Sequence, residues 1–313
     1  MKAMLVNNGK LKPDLTAAEI PQPLPGDGDL LIRVHAAGVT PTELLWYPTS
    51  HTKDGAMRTN VVPGHEFSGT IAALGKDVHD FNPGDEIFGM NDWFADGATA
   101  EFCLTQPQNI ALKPKSLPHE LAATVPIGAL TAWQGLLDRA RIQSGERILI
   151  QGAAGAVGLF AVQLAHLHGA HVVATSSEQN IEFVKKLGAD EVLDYKTADL
   201  KKQIEDQIGK VDVVFDAVGG TTLDRSWSVL KPGGRMVTIA ADNEGTTDQR
   251  VKDAFFIVEP NKKQLNEVAR LIDAGTLKAF VNAVVPLEEA PAAYSGGIRA
   301  KRGYGKVVIA VSE

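Results

Sequence analysis

Short apolar runs separated by proline and turn residues fill the first 120 positions: residues 3–6, 30–36, 69–74 and 85–89, with Pro21, Pro23 and Pro25 between the first two. Runs of this length and punctuation predict a mostly β domain with irregular loops. From about residue 121 the texture changes to β-branched runs closed by Gly, Ser, Asp or Asn, each followed by an amphipathic segment. That alternation predicts a parallel sheet with helices on both faces. Six strands are expected, at 147–151, 171–175, 191–194, 211–218, 235–240 and 254–258, with helices starting near Ala156, Glu178, Ala198, Thr222 and Asn261. In the last helix Leu265, Val268, Leu271 and Ile272 share one face, and Gly275 is placed to end it. Residues 278–313 return to the β texture and close with a strand at 306–311. The expected fold class is α/β: a doubly wound, six-stranded parallel sheet domain, residues 121–276, inserted into a mostly β domain made from 1–120 and 277–313.

Length and composition agree with two globular domains. The chain has 313 residues, 44% hydrophobic and 22% charged, and no internal repeat or low-complexity segment. Its one cysteine, Cys103, excludes an internal disulfide framework and an all-cysteine zinc lobe. A formal charge of −7 with no basic block argues against nucleic acid or an anionic membrane as partner, and for a small molecule. The longest nearly uncharged apolar stretch, 152–165, is short of the roughly 20 residues that a spanning helix needs. The opening residues read as a first strand rather than a signal-peptide core, so the expected location is the cytoplasm.

The strongest chemical signal is the expected strand 147–151 running into Gly152-Ala-Ala-Gly155-Ala-Val-Gly158 and then a helix. Glycine there lets the turn tighten, the backbone approach a pyrophosphate, and helix and strand pack closely; the helix N-terminus supplies oriented N–H groups. A GxxGxxG string alone more often marks close helix packing, but its place at the head of further strand and helix units points to a dinucleotide. No lysine follows, which excludes a nucleoside triphosphate loop. At the end of the next strand, where an acidic side chain would hold the ribose diol of NAD, stand Ser176 and Ser177. Small hydroxyls leave room for a 2′-phosphate and favour NADPH over NADH. Asn180 sits where a cation would help, Lys185 and Lys186 lie a turn or more away, and Glu178 is an alternative ribose partner.

The ordered segments AAGVTPTE (36–43), VPGHEFSG (62–69), PGDEIFG (83–89), GAAGAVG (152–158), DAVGG (216–220), LKPGG (230–234) and GKVVI (305–309) resemble the medium-chain dehydrogenase/reductase superfamily over essentially the whole chain. Within it the chain is similar to the zinc-free quinone oxidoreductases. The resemblance implies a Rossmann domain inserted in a GroES-like domain, with a homodimer as the expected assembly. It also implies NADPH-dependent reduction of quinones or α,β-unsaturated carbonyls. Further, Thr131 lies near the cofactor, Ala154, Gly155, Ala156 and Val157 touch the pyrophosphate, and Tyr195 stands beside the adenosine phosphate. Ala240 follows the fifth strand, and Phe256 to Val258 run along the nicotinamide; burial of Phe256 on an edge strand is the competing reading.

Zinc dehydrogenases of that superfamily place a cysteine ligand where this chain has Thr40 and a histidine ligand at the position of His65. Thiolate is unavailable at Thr40, and His65 and Glu66, being adjacent, could share an ion only with a bent backbone and a further ligand. No metal is expected, and His65 reads as a hydrogen-bonded histidine at a substrate pocket with Trp46 and Trp93. For the aromatics of the first domain, core packing and the lining of a flat pocket both remain open. Thr40 is the expected hydrogen-bond donor near the reacting centre and Tyr47 a second candidate. His166 and His168 face different ways on a helix, and Cys103 reads as a buried, inert thiol. A zinc-dependent alcohol dehydrogenase and a non-catalytic NADPH-binding sensor are the alternatives.

Overall fold

A computed structural model of the chain describes residues 1–7, 14–196, 209–240, 245–298 and 303–312. It divides into two compact units, Met1–Ile127 with Glu259–Glu313, and Gly128–Val258. The first unit opens with β1 (Lys2–Asn7), β2 (Asp14–Glu19), β3 (Leu30–Gly38), β4 (Glu66–Leu74), β5 (Glu86–Met90), β6 (Phe102–Thr105) and β7 (Ile110–Leu112). The second contributes β8 (Arg147–Gln151), β9 (His171–Ser176), β10 (Glu191–Asp194), β11 (Val211–Asp216) and β12 (Leu230–Thr238). The chain then returns to the first unit with β13 (Val281–Pro286) and β14 (Lys306–Ala310).

In the first unit β1 and β2 form an antiparallel ribbon, and seven strands form a sheet in the order β13-β14-β3-β4-β5-β7, with β6 also paired to β3. The alternation along β3 sends Leu30, Ile32 and Val34 into a core with Phe67, Ile71, Ile87, Cys103 and Ile110. A second core gathers Met4, Val6, Leu44, Val285, Tyr294 and Ile309. The N-terminal and C-terminal parts of the chain are thus joined in one sheet, through the antiparallel pair Val308↔Gly38.

The helix Lys262–Asp273 starts at Asn261, whose side chain accepts from the Gln264 N–H, and it buries Leu265, Val268, Leu271 and Ile272 as its periodicity predicts. Its place differs from the expectation. It packs on β7, and Asp273 accepts from the N–H groups of Lys115 and Ser116, so it belongs to the first unit. The division therefore falls after 127 and after 258, rather than after 120 and after 276.

The second unit is a parallel sheet in the order β10-β9-β8-β11-β12, with its core at Leu149, Val173, Val214, Leu223, Val229 and Met236. From β8 the chain winds outward to β9 and β10 on one side and β11 and β12 on the other, so the strand order reverses between β8 and β11. Open sheets of this kind bind ligands at the carboxyl ends of the strands at that reversal. The expected sixth strand at 254–258 is not formed. Asp248 caps a helix Gln249–Ala254 that takes up the start of the run, and what remains makes a single parallel bridge, Thr238↔Phe255. The helix expected near Ala198 lies outside the described residues. Among the described residues no helix is long and apolar enough to cross a membrane.

Candidate functional site

At the end of β8 the chain turns through Gly152 at φ +79°, a left-handed conformation that a side chain would strain. Gly158 opens the helix Gly158–Leu167 so close to this turn that a Cβ would lie 2.2 Å from the Gly152 carbonyl oxygen. The outer side is bare: within 4 Å, a Cβ on Gly155 would meet only the Gly152 oxygen, at 3.2 Å. Polar side chains brace the turn from beneath. Thr175 Oγ1 donates to Gln151 Oε1 at 2.6 Å and accepts from the Gly152 N–H, while Gln151 Nε2 donates to Ser226 Oγ at 3.1 Å. Ala154, Gly155, Ala156 and Val157 thus form a bare backbone loop leading into the helix, whose first turn is tied back to it: the Leu159 N–H donates to the Gly155 carbonyl and the Phe160 and Ala161 N–H groups to that of Val157.

The carboxyl ends of neighbouring strands gather the other residues expected here. Ser176 Oγ donates to the Ser177 carbonyl at 3.1 Å, Asn180 Nδ2 donates to Ser177 Oγ at 3.2 Å, and the Tyr195 N–H donates to the Ser176 carbonyl, leaving the Tyr195 ring exposed. Past β12, the Ala240 N–H donates to Thr238 Oγ1, which itself donates to Asp216 Oδ2 at 2.8 Å; Asp216 also accepts from the N–H of Gly219. Thr131 is buried on the helix Pro126–Trp133. Phe256 and Val258 are buried too, and Arg139 stands 4.7 Å over the Phe256 ring. Gln151, Thr175 and Thr238 were not singled out from the sequence. Their signal is a polar residue at the carboxyl end of an apolar strand.

The first unit carries a buried polar cluster that the sequence gives only in part. Glu43, on the 3-10 turn Pro41–Leu45, is 0% exposed. Its carboxylate accepts from the Gly64 N–H, from the Tyr294 hydroxyl at 3.0 Å and from His65 Nδ1 at 3.4 Å. His65 Nε2 lies 3.3 Å from the Ala95 carbonyl. The neighbouring Glu66 takes the Lys306 ammonium on Oε1 and the Ile127 N–H on Oε2 at 3.0 Å. Glycine at 38 makes room for it, since a Cβ there would lie 2.6 Å from Glu66 Cγ. Lys306, only 6% exposed, also donates to Thr40 Oγ1 at 3.3 Å. Burial pulls its ammonium down to about 7, against the opposing pull of Glu43.

Aromatic rings continue this cluster. Trp93 packs against His65 with centroids 5.1 Å apart and edge-on to Trp46 at 4.9 Å, which brings together the three residues expected at a substrate pocket. Tyr47 is 48% exposed and stacks on His51. Cys103 is buried, and burial pushes its thiol far up, which makes it inert as read from sequence.

Residues 26–135 match the family described as alcohol dehydrogenase GroES-like domain, and residues 156–270 the family described as zinc-binding dehydrogenase. A probable zinc-binding oxidoreductase, mitochondrial, of Arthroderma benhamiae is 34% identical, covering 95% of this chain and 93% of its own. The mitochondrial NAD(P)H oxidoreductase RTN4IP1 of Mus musculus is 31% identical over 90% of this chain and 82% of its own. The solved quinone oxidoreductase of Coxiella burnetii superposes with a TM-score of 0.86 at 28% identity, covering 100% of this chain and 99% of that one. The chain belongs to the medium-chain dehydrogenase/reductase superfamily, in its quinone oxidoreductase branch. It is an oxidoreductase that uses a nicotinamide cofactor and acts on small molecules.

Medium-chain dehydrogenases/reductases hold two kinds of group, the nicotinamide dinucleotide and, in part of the superfamily, zinc. The dinucleotide fits the bare glycine turn and its helix N-terminus. Zinc does not fit the donors of the first unit. Thr40 is a neutral hydroxyl already bonded to an ammonium, each carboxylate oxygen of Glu66 already accepts from a protein donor, and each ring nitrogen of His65 has a protein partner. Among the described residues no three His, Cys, Asp or Glu side chains are grouped to hold a metal. A lysine ammonium, donor only, beside the carboxylate is the opposite of what a cation site needs.

Proposed function

We propose that the protein reduces quinones or α,β-unsaturated carbonyls with NADPH and without a metal. The observation that carries this reading is the Lys306 ammonium on Glu66 and Thr40, which sets a fixed protein cation where a dehydrogenase of the zinc type would need open ligands. When bound, NADPH supplies a hydride. The chain's own contributions are alignment and polarisation. Backbone from Gly152 to Gly158 and the Thr131 side of the sheet unit hold the dinucleotide; Ser176, Ser177 and Asn180 accept a 2′-phosphate, because the strand ends in hydroxyls rather than in a carboxylate; Tyr195, Ala240 and Val258 border it. Thr40 donates a hydrogen bond to the acceptor's carbonyl oxygen and steadies the negative charge that develops there. Trp46, Trp93 and His65 offer a flat wall against which a conjugated acceptor stacks. Thr40, anchored in the buried cluster, is preferred over Tyr47 as the donor.

NADPH oxidation across a panel of quinones and enones, on protein assayed for metal, tests the reading. Turnover of an enone or quinone by metal-poor protein is the expected result. About one zinc per chain, lost on chelation together with alcohol oxidation, would replace this reading with a zinc alcohol dehydrogenase. Binding of NADPH with no turnover of any acceptor would make the protein a nucleotide-binding sensor.

A further inference from the structure

Thr40 stands at the start of the turn Pro41–Leu45, where threonine side chains often cap the following turn; here the hydroxyl makes no capping bond. Its partner is instead Lys306, brought from β14 across 266 positions of sequence. Paired with the Glu66 carboxylate, Lys306 is held as an ammonium against the burial that draws its proton off, and an ammonium has three hydrogens to give and no lone pair to receive. Its bond to Thr40 Oγ1 therefore occupies an oxygen lone pair, and the threonine's own O–H has to point away from the lysine. Glu66 takes no hydrogen bond from Thr40 among the described residues; its two oxygens receive Lys306 and the Ile127 N–H. A donor whose oxygen already accepts from a cation is also polarised into a stronger donor.

We propose that Lys306 is a positioning residue, which, held by Glu66, fixes and strengthens the Thr40 hydroxyl as a hydrogen-bond donor to the carbonyl oxygen of the acceptor. The inference rests on the enone and quinone reading above for its substrate, but not for its geometry. The ion pair is the orienting device: the carboxylate holds the lysine, and the lysine sets the direction of the hydroxyl. Nothing in this arrangement transfers a proton. Lys306 acts on the reaction only through Thr40, and it has no part in holding the dinucleotide.

Replacing Lys306 alone would leave Glu66 buried without its counter-charge, so the test uses Lys306→Met together with Glu66→Gln, which removes both charges at nearly constant volume. Lys306→Arg serves as the conservative comparison. Two readouts are taken on folded protein. Crystal structures report the Thr40 rotamer, which needs no substrate, and steady-state kinetics report kcat with an enone against the KM for NADPH. In the double variant Thr40 is expected to lose its single rotamer and kcat to fall about tenfold or more, with the NADPH KM changed less than about twofold. Lys306→Arg is expected to recover part of kcat. A double variant that keeps the Thr40 rotamer overturns the proposal whatever its kcat, and so does one that loses the rotamer at unchanged kcat. Wild-type protein that reduces no acceptor, combined with a Thr40 that reorients in the variant, would remove the functional reading and leave the positioning role standing.

Discussion

Tyr294 donates its hydroxyl to Glu43 Oε1 at 3.0 Å, closing a bond between side chains 251 positions apart inside a core that excludes water from both. Burial and the adjacent carboxylate push the phenol well above its ordinary range, so it remains a donor. Tyr294→Phe leaves Glu43 with one donor fewer in a dry setting and should lower stability by about 1–3 kcal/mol. Urea unfolding would read this as a lower midpoint at unchanged slope.

Thr40→Ala removes the proposed donor from the reacting centre while leaving the glycine turn intact. Turnover of enones should fall by up to roughly a hundredfold, corresponding to about 3 kcal/mol, with NADPH affinity nearly unchanged. Quinones accept hydride more readily and should lose less. Equal activity on all acceptors would reduce Thr40 to a packing residue and return attention to Tyr47.

Ser176→Asp places a carboxylate where the proposed function puts the 2′-phosphate. Fluorescence titration should show NADPH bound at least about tenfold more weakly, a change of about 1.4 kcal/mol, with NADH affected little or improved. Equal affinity of the wild type for both cofactors would mean that Glu178 holds the ribose.

Gly158→Ala would drive a methyl group to 2.2 Å from the Gly152 oxygen and 2.7 Å from Ala153 Cα. Backbone on both sides cannot yield as a side-chain tip can, so a loss of about 1–3 kcal/mol is expected in thermal or denaturant unfolding. The same displacement opens the turn, and calorimetric titration should show dinucleotide binding weakened in step.

His119 lies between Ser68 Oγ at 2.8 Å and Glu86 Oε1 at 3.1 Å and stacks on His35. Burial, followed by the charge of His35, lowers its affinity for a proton, against the pull of Glu86. The folded form therefore takes up the proton at lower pH than the unfolded chain, so stability is full above about pH 6.5 and declines as pH falls below it. His119→Gln should flatten that part of the stability profile, and chemical denaturation between pH 7.5 and 5.5 would show whether the slope is reduced.

What could be read in the sequence is what depends on neighbours along the chain. The glycine turn, the strand before it and the stripe Leu265, Val268, Leu271 and Ile272 are local patterns, and the structure forms all three. The destination of that stripe is not local: the same apolar face would suit a parallel sheet, and β7, the Asp273 bonds and the Lys262–Asp80 ion pair assign it to the first unit. The missing sixth strand has a similar cause. Residues 254–258 suit a strand, but Asp248 and the buried Val251 and Ala254 commit the preceding segment to a helix that consumes its start. Glu43 and Lys306 stand inside two of the segments that carry the resemblance, AAGVTPTE and GKVVI, but neither shows a role until folding brings Tyr294, Glu66 and Thr40 against them.

The distance in sequence between Lys306 and Glu66 also sets an order of events during synthesis. Residues 128–258 form a continuous unit, and all of its strands have left the ribosome before β13 and β14 exist. The first unit has to wait. Until β14 is made, 240 residues after Glu66, the edge of β3 that will receive it stays open, and the glutamate beneath has no cation. A nascent chain stalled shortly before residue 306 would carry a finished second unit and a first unit still lacking its closing strand, a state that chaperones and proteases can recognise.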